Sequence, residues 1–426
     1  MSTTTMTTIR PGEPGYDEAR LGFQTHRSHR PAAVVVARSA DDVVAGVRAA
    51  RQAGRRVAVQ ATGHGVAAVD DEAILISTRA LDAVGVDPVA RTARIEAGAR
   101  WGAVIAAAAQ HGLAPLSGSS PDVGAAGYLV HGGIGLLGRR HGYAAEHVRA
   151  FEIVTPDGEQ RRVTDGDLFW ALRGGGGSFG IVTAVEIDLL SLTTVFGGAL
   201  HLPATAATLR GWRDWAVDVP EGMSTSAAVA AFADPTLVVR VAYEGPSPEG
   251  ERLVAPLRGL AEPLRDELRE LPWTESHTIH SDPSGPVASR STTVALQALP
   301  DAVLDAATAT QGQGVPRIVE FRRMGGAFTR PSAAGPLRRD AEWTAGTISI
   351  MAPGVDPAAV DRLDAQFRAA AASETVGRLA NLLLGEGADP AAVAQAYTPA
   401  DLARLQRIRA EVDPDGVLAP GAPLPS

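Results

Sequence analysis

His64 stands between Gly63 and Gly65, after the small residues Ala61 and Thr62 that end the apolar run Val57-Ala58-Val59-Gln60. A second glycine-dense stretch, Gly118-Ser119-Ser120-Pro121-Asp122-Val123-Gly124, leads through Gly127 to His131-Gly132-Gly133-Ile134-Gly135. Turns of this kind let backbone N–H groups approach phosphate oxygens, because glycine admits conformations and contacts that a Cβ forbids. A neutral imidazole among them carries a nucleophilic nitrogen near pH 7. The pattern points to chemistry on a phosphorylated cofactor. Tight turns between packed elements are the alternative for any one glycine, and a plain hydrogen-bonding role is the alternative for His64.

The elements around these glycines discriminate between cofactor folds. Two stretches, Gly133-x-Gly135-x-x-Gly138 and Gly175-x-Gly177-x-x-Gly180, satisfy the dinucleotide pattern G-x-G-x-x-G. That pattern works only where a strand precedes it and a helix opens at it, so that the pyrophosphate meets the helix N-terminus. The second follows a helix-like segment, 167–173, and leads into the alternating, strand-like Ile181-Val182-Thr183-Ala184-Val185-Glu186-Ile187; the first runs into Arg139-Arg140-His141-Gly142. Neither supplies the context of a nicotinamide Rossmann site.

From residue 30 to about 190, strand-like and helix-like stretches alternate. Ser39 before Asp41-Asp42 starts a helix with Val43, Val44, Val47 and Ala50 on one face, and Gly54 offers its stop. Extended runs are expected at 57–60, 74–77, 92–97, 148–154 and 181–189, with an amphipathic helix over 101–111. From about 194 the texture changes to helices at 205–218 and 356–371, interleaved with strands near 224–231, 236–243, 316–322 and 345–351. The segment 272–290, rich in Ser, His, Pro and Gly, reads as a loop. A final helix over 399–412 precedes a proline-rich end. The division expected is 1–193, 194–378 and a C-terminal segment 379–426 that returns to the first domain.

With 426 residues, 45% of them apolar, the chain has material for two cores. Its 48 acidic and 39 basic residues give a net charge of −9 with no basic block, which disfavours nucleic acid and anionic membranes as partners. The absence of cysteine excludes disulfides, thiolate metal sites and thioether cofactor links, and no metal site is expected. The polar N-terminus lacks the apolar core of a secretory signal, and no segment reaches about 18 uninterrupted apolar residues. A soluble cytoplasmic protein is the default expectation; nothing signals an oligomeric state.

Taken in order, Pro31 to Val43, Gly63-His64, Ile95-Glu96-Ala97-Gly98-Ala99, Gly118 to Gly124 and Gly174-Gly175-Gly176-Gly177-Ser178-Phe179-Gly180-Ile181-Val182-Thr183 resemble the FAD-linked oxidases of the berberine-bridge-enzyme type, within the vanillyl-alcohol-oxidase superfamily. Val319 to Ala327, Arg339-Asp340-Ala341 and the end from Tyr397 to Pro414 carry the resemblance through the chain. It implies an α+β fold: a two-lobed PCMH-type FAD-binding domain and a mixed α+β substrate domain with an antiparallel sheet. It implies FAD held by residues 61–65, Gly118, Ser119, Ser120, Val123, Gly124, Gly127, Tyr128, Gly133, Gly135, Val148, Gly180, Val182 and Asn381. It places at His64 the ring that bonds the flavin 8α carbon, and leaves Ser120 where many members carry a second attachment through cysteine, so the link is single. Val123 matches a position that leaves room for oxygen beside the flavin, although a core valine fits the letter equally well.

The chain departs from the family pattern at Ala126-Gly127-Tyr128, at His131, and at Leu379 before Asn381, where an aromatic base is usual. The candidate bases are Tyr128, Tyr397, His131 and Glu320; packing or cofactor contact explains Tyr128 as well as catalysis does. Arg322 is a candidate for pairing a substrate anion, an exposed strand arginine being the alternative. The reaction implied is oxidation of a small organic substrate (a secondary metabolite, sugar or alkaloid-like molecule) by O2 with release of H2O2. The alternatives are a flavin-dependent dehydrogenase or an oxygenase.

Overall fold

The computed structural model describes residues 6–65, 69–231, 235–309, 314–383 and 388–425. Two sheets form the N-terminal part. The first orders the strands Thr7–Ile9, Ala33–Val36, Ile74–Ser77 and Val57–Gln60, the last three pairing in parallel. Its crossover helix, Ala40–Gln52, begins where the Ser39 hydroxyl accepts the Asp42 N–H and stops before Gly54 at φ 64°. Val43 and Val47 on that helix bury with Val35, Val57 and Ile76. The second sheet is antiparallel, ordered Val84–Asp87, Thr92–Glu96, Ile181–Asp188, Val148–Val154 and Gln160–Val163.

The rest is dominated by one antiparallel sheet, whose central order is Thr194–Pro203, Thr236–Tyr243, Met223–Ala231, Arg317–Arg323, Trp343–Ile350 and Ser289–Leu296. Its two faces differ, as the period of two requires. Along Thr236–Tyr243, Leu237, Val239 and Val241 are fully buried against Leu209, Trp212, Val254 and Leu257 of the covering helices, whereas Arg240 turns to the opposite face. Within the helix-side layer Arg317 donates to the Asp364 carboxylate at 2.7 Å, and Thr347 donates to the same oxygen at 2.9 Å. The opposite face looks toward the N-terminal sheets; Ala242 joins the core built around Trp101, Leu129 and Phe179.

The C-terminal segment ties back to the beginning. Helix Pro399–Val412 buries Leu405 and Ile408 in that N-terminal core, and Val57 and residues 417–419 exchange backbone bonds of 2.7 Å. Two sequence expectations need correction. The stretch 272–290 is not all loop: Trp273–Ile279 is a 3-10 helix, formed because Trp273 and Ile279 are both apolar and bury in the core. After Gly133-x-Gly135-x-x-Gly138 a four-residue helix, Gly138–His141, does open, but it ends at once at Gly142. Among the described residues, no helix is long and apolar enough to cross a membrane, and no group of three or more His, Asp or Glu could hold a metal ion.

Candidate active site

The His64 loop leaves strand Val57–Gln60 and is held by the segment 22–24: Phe23 N–H donates to Thr62 C=O at 2.9 Å and Gln24 N–H to Gly63 C=O at 3.1 Å. The two backbones touch where both residues are glycine; a Cβ on Gly63 (φ 75°) would lie 2.6 Å from the Gly22 Cα. Phe23 then stacks on the imidazole of His64, centroids 3.9 Å apart and planes 11° apart. Thr62 Oγ1 bonds His64 Nδ1 at 2.8 Å and accepts the Gly124 N–H at 3.3 Å, which links the two glycine stretches. Burial, reinforced by the Arg100 cation, lowers the His64 pKa to about 4, so the ring is neutral at pH 7. Its Nε2 is buried and has no partner among the described residues.

The remaining glycines separate into two physical classes. Gly118, Gly133 and Gly135 surround the ring of Tyr128: a Cβ would come 3.0 Å from its Cε2, 2.5 Å from its Cε1 and 3.4 Å from its hydroxyl, respectively. Their lack of a side chain makes room for an aromatic ring, a role the sequence assigned to cofactor contact. Gly127, on helix Ala125–Val130, is exposed and has nothing within 4 Å of its Cβ position, the open face a large planar ligand needs. Gly180, at φ 152°, is packed against Ile153.

Several candidates turn out to have structural partners. Tyr128 is 8% exposed, stands edge-on to Trp101, and its hydroxyl has no partner among the described residues. Tyr397 is buried and donates its hydroxyl to Gly174 C=O at 3.0 Å. Burial pushes both phenols up, away from the phenolate a base requires. His131 Nδ1–H donates to Gly127 C=O at 2.7 Å, desolvation keeps the ring neutral, and its cavity is shared with Tyr143, Leu337, Leu379 and Asn381. Asn381 Oδ1 accepts the Ile134 N–H at 3.1 Å, so that amide shapes the Gly133–Gly135 turn. Val148 is a buried core residue, Val182 is half-buried in the same sheet, and Ser120 accepts the Asp122 N–H at 3.3 Å. Val123 is half-buried and its C=O accepts the Trp101 N–H at 3.0 Å.

Glu320 and Arg322 sit elsewhere, on the open face of the large sheet. Arg322 lines a cleft between that face and the Gly135-Leu136 turn, together with Ser226, Arg240 and His280. Glu320 Oε1 accepts from Arg240 at 3.3 Å and from Arg322 at 3.4 Å. On the rim Ser119 donates to Asp282 at 2.5 Å, joining the glycine loop to the substrate-side segment. Arg240, His280, Asp282 and Phe23 went unnoticed in the sequence. Arg240 had a signal, a charge at the one alternating position of an otherwise apolar strand; His280 and Asp282 lay in a segment taken as loop.

FAD fits the first of these two regions on the structure's own terms. Among the described residues His64 Nε2, Ser117 Oγ and Ser178 Oγ are buried without a partner, and Gly127 presents an open approach. Comparison with known proteins agrees. Residues 31–164 match the FAD binding domain family. The chain is 28% identical over 286 residues to (R)-6-hydroxynicotine oxidase of Paenarthrobacter nicotinovorans, covering 64% of this chain and 62% of that protein. It is 37% identical over 185 residues to the FAD-dependent monooxygenase FUP4 of Fusarium proliferatum, covering 42% and 36%. The alignments thus span less than two thirds of these curated relatives. The crystal structure of 6-hydroxy-D-nicotine oxidase from Arthrobacter nicotinovorans superposes with a TM-score of 0.85 at 24% identity over 98% of both chains. The wild-type BBE-like 1 protein of Physcomitrella patens superposes with 0.87 at 19% identity over 99% of this chain and 97% of that one. Residues 31–164 thus match an FAD binding domain, and the chain shares the fold of 6-hydroxy-D-nicotine oxidase and of the BBE-like 1 protein.

Proposed function

We propose that the protein is an FAD-dependent oxidase of a small organic substrate, delivering electrons to O2 with formation of H2O2, and that its FAD is tethered through His64 alone. His64 carries this reading: a neutral ring with one nitrogen held by Thr62 and the other buried and unpartnered, inside the segment that matches the FAD binding domain. Bound FAD supplies the two-electron acceptor. The chain's own part is to fix that ring, through Thr62 and the Phe23 stack, and to present Gly127 to the cofactor. The cleft beside Gly135 receives the substrate, and Glu320 takes its proton, because it is the one candidate base that touches cleft-lining residues without being enclosed as the two phenols are.

The test is direct. Purified protein should be yellow, and its acid-denatured band should fluoresce under ultraviolet light with a mass gain of one FAD; His64→Ala should lose both. A colourless protein that takes up no FAD when supplied with it overturns the reading. Substrates found by screening should yield one H2O2 per O2 consumed. Oxygenation is the second reading, favoured by the similarity to FUP4 and by Leu379 standing where an aromatic base is usual; label from 18O2 in the product, in place of H2O2, would select it.

A further inference from the structure

Three neighbouring strands put Arg240, Ser226 and Arg322 in one row. Ser226 is paired in register with Arg240 on one side and with Arg322 on the other. The two arginines are therefore about 10 Å apart at their Cα atoms, two strand spacings, with a small side chain between them. The floor on this face stays low, since Ala228 is registered with Glu320 and Glu320 with Gly346. Two long cationic arms thus rise around a notch that opens into the cleft.

The charges in the notch are poorly matched. Arg240 and Arg322 are only 13% and 21% exposed at their side chains, yet both share a single oxygen of Glu320, at 3.3 and 3.4 Å. Other enclosed arginines of this protein are better provided for. Arg317 has its carboxylate at 2.7 Å, Arg139 donates to three carbonyls, and Arg338 has Asp340 together with three carbonyls. A guanidinium carries five donors; among the described residues each of these two bonds only Glu320, and Arg240 Nε is buried without a partner, which is costly in a desolvated place. The other groups facing the row do not make up the deficit. His280, 3.8 Å from Glu320, is driven well below its ordinary value by burial and carries no charge; Asp282, its own pKa raised by burial, acts on both cations through space, but its carboxylate is bonded by Ser119 on the rim and by neither guanidinium.

We propose that the substrate is an organic anion, and that Arg240 and Arg322 together bind its carboxylate in the cleft beside Gly135. The inference rests on the oxidase reading and adds a substrate class to it. A carboxylate matches the planar fork of a guanidinium, fills the idle donors, and leaves the rest of the molecule directed at the Gly135-Leu136 turn. Arg240 and Arg322 are then specificity-determining residues, and neutral analogues lacking the carboxylate bind poorly because the cations stay unmatched.

Calorimetry of the yellow holoenzyme with benzoate and phenylacetate, each against its amide, tests this. The carboxylates should bind saturably and the amides at least tenfold more weakly. Arg240→Gln and Arg322→Gln should each weaken carboxylate binding tenfold or more, while Arg322→Lys, which keeps the charge, should retain part of it and report a folded protein. Amides that bind as well as acids, carboxylates that do not bind, or affinities unmoved by both glutamine substitutions overturn the proposal. Heat of binding is read whether or not the protein holds FAD, so failure of the flavin reading shows as missing colour and failure of the anion site as missing heat.

Discussion

At the residue scale, the decisive quantity is the protonation of the imidazole in the first glycine loop. A ring with the ordinary histidine value near 6.5 is roughly one quarter neutral at pH 6 and nearly all neutral at pH 8. His64, lowered to about 4, is neutral at both. Incorporation of FAD into cofactor-free protein should therefore proceed at the same rate within about twofold at pH 6 and pH 8, where an unperturbed ring predicts a fall of about fourfold at the lower pH. Rates followed by in-gel flavin fluorescence decide between these. Glu320 and Tyr128 make a contrasting pair. Removing a positioned base costs on the order of 10²- to 10⁴-fold in kcat, so Glu320→Gln should fall in that range. Tyr128→Phe should keep kcat within about threefold and fold at least as stably, because it deletes only a buried hydroxyl that has no partner. A collapse of kcat in Tyr128→Phe with FAD retained would return the tyrosine to the chemistry.

At the scale of elements, the glycine turns do two jobs that look alike in one dimension. Gly133 is held at φ 75°, and a methyl there would meet Tyr128 Cε1 at 2.5 Å and Ala144 Cβ at 2.9 Å. Gly133→Ala should lower stability by about 2–4 kcal/mol, combining backbone strain with overpacking, with loss of FAD as a consequence of the displaced turn. Gly127→Ala meets no atom within 4 Å. On a helix it should leave the stability of the cofactor-free protein unchanged or raised by a few tenths of a kcal/mol, while weakening FAD uptake. Denaturant melts with and without FAD separate the two effects; equal behaviour of the two variants would contradict the division of roles.

At the scale of the whole molecule, the site lies between a helix-backed antiparallel sheet and the N-terminal sheets, so it depends on that sheet staying intact. Its helix-side layer contains the Arg317–Asp364 pair, with Arg317 fully buried. Arg317→Met leaves Asp364 enclosed without its cation and should cost about 3–5 kcal/mol, measured by urea denaturation; a loss below 1 kcal/mol would mean the carboxylate is rehydrated or protonated at little cost. Much of this architecture was legible in the chain. The Ser39 start and Gly54 stop of the first helix, the alternation along 181–187 and the order of glycine motifs depend on neighbours a few residues away, which a linear pattern records. Local spacing likewise argued against a Rossmann site, since neither pattern follows a strand and the helix that opens at the first lasts only four residues. What local spacing does not carry is register between distant strands. The row of Arg240, Ser226 and Arg322 joins residues as much as 96 positions apart through backbone pairing. The assignment of Gly118, Gly133 and Gly135 to the ring of Tyr128, and of the Asn381 amide to the Ile134 N–H, likewise appears only once separate segments are packed. Sequence alone determined which backbone conformations and which chemical groups the protein has; tertiary structure decided which of those groups are spent on one another and which are left for a ligand, because burial and unmatched hydrogen-bond donors exist only between segments brought together by folding.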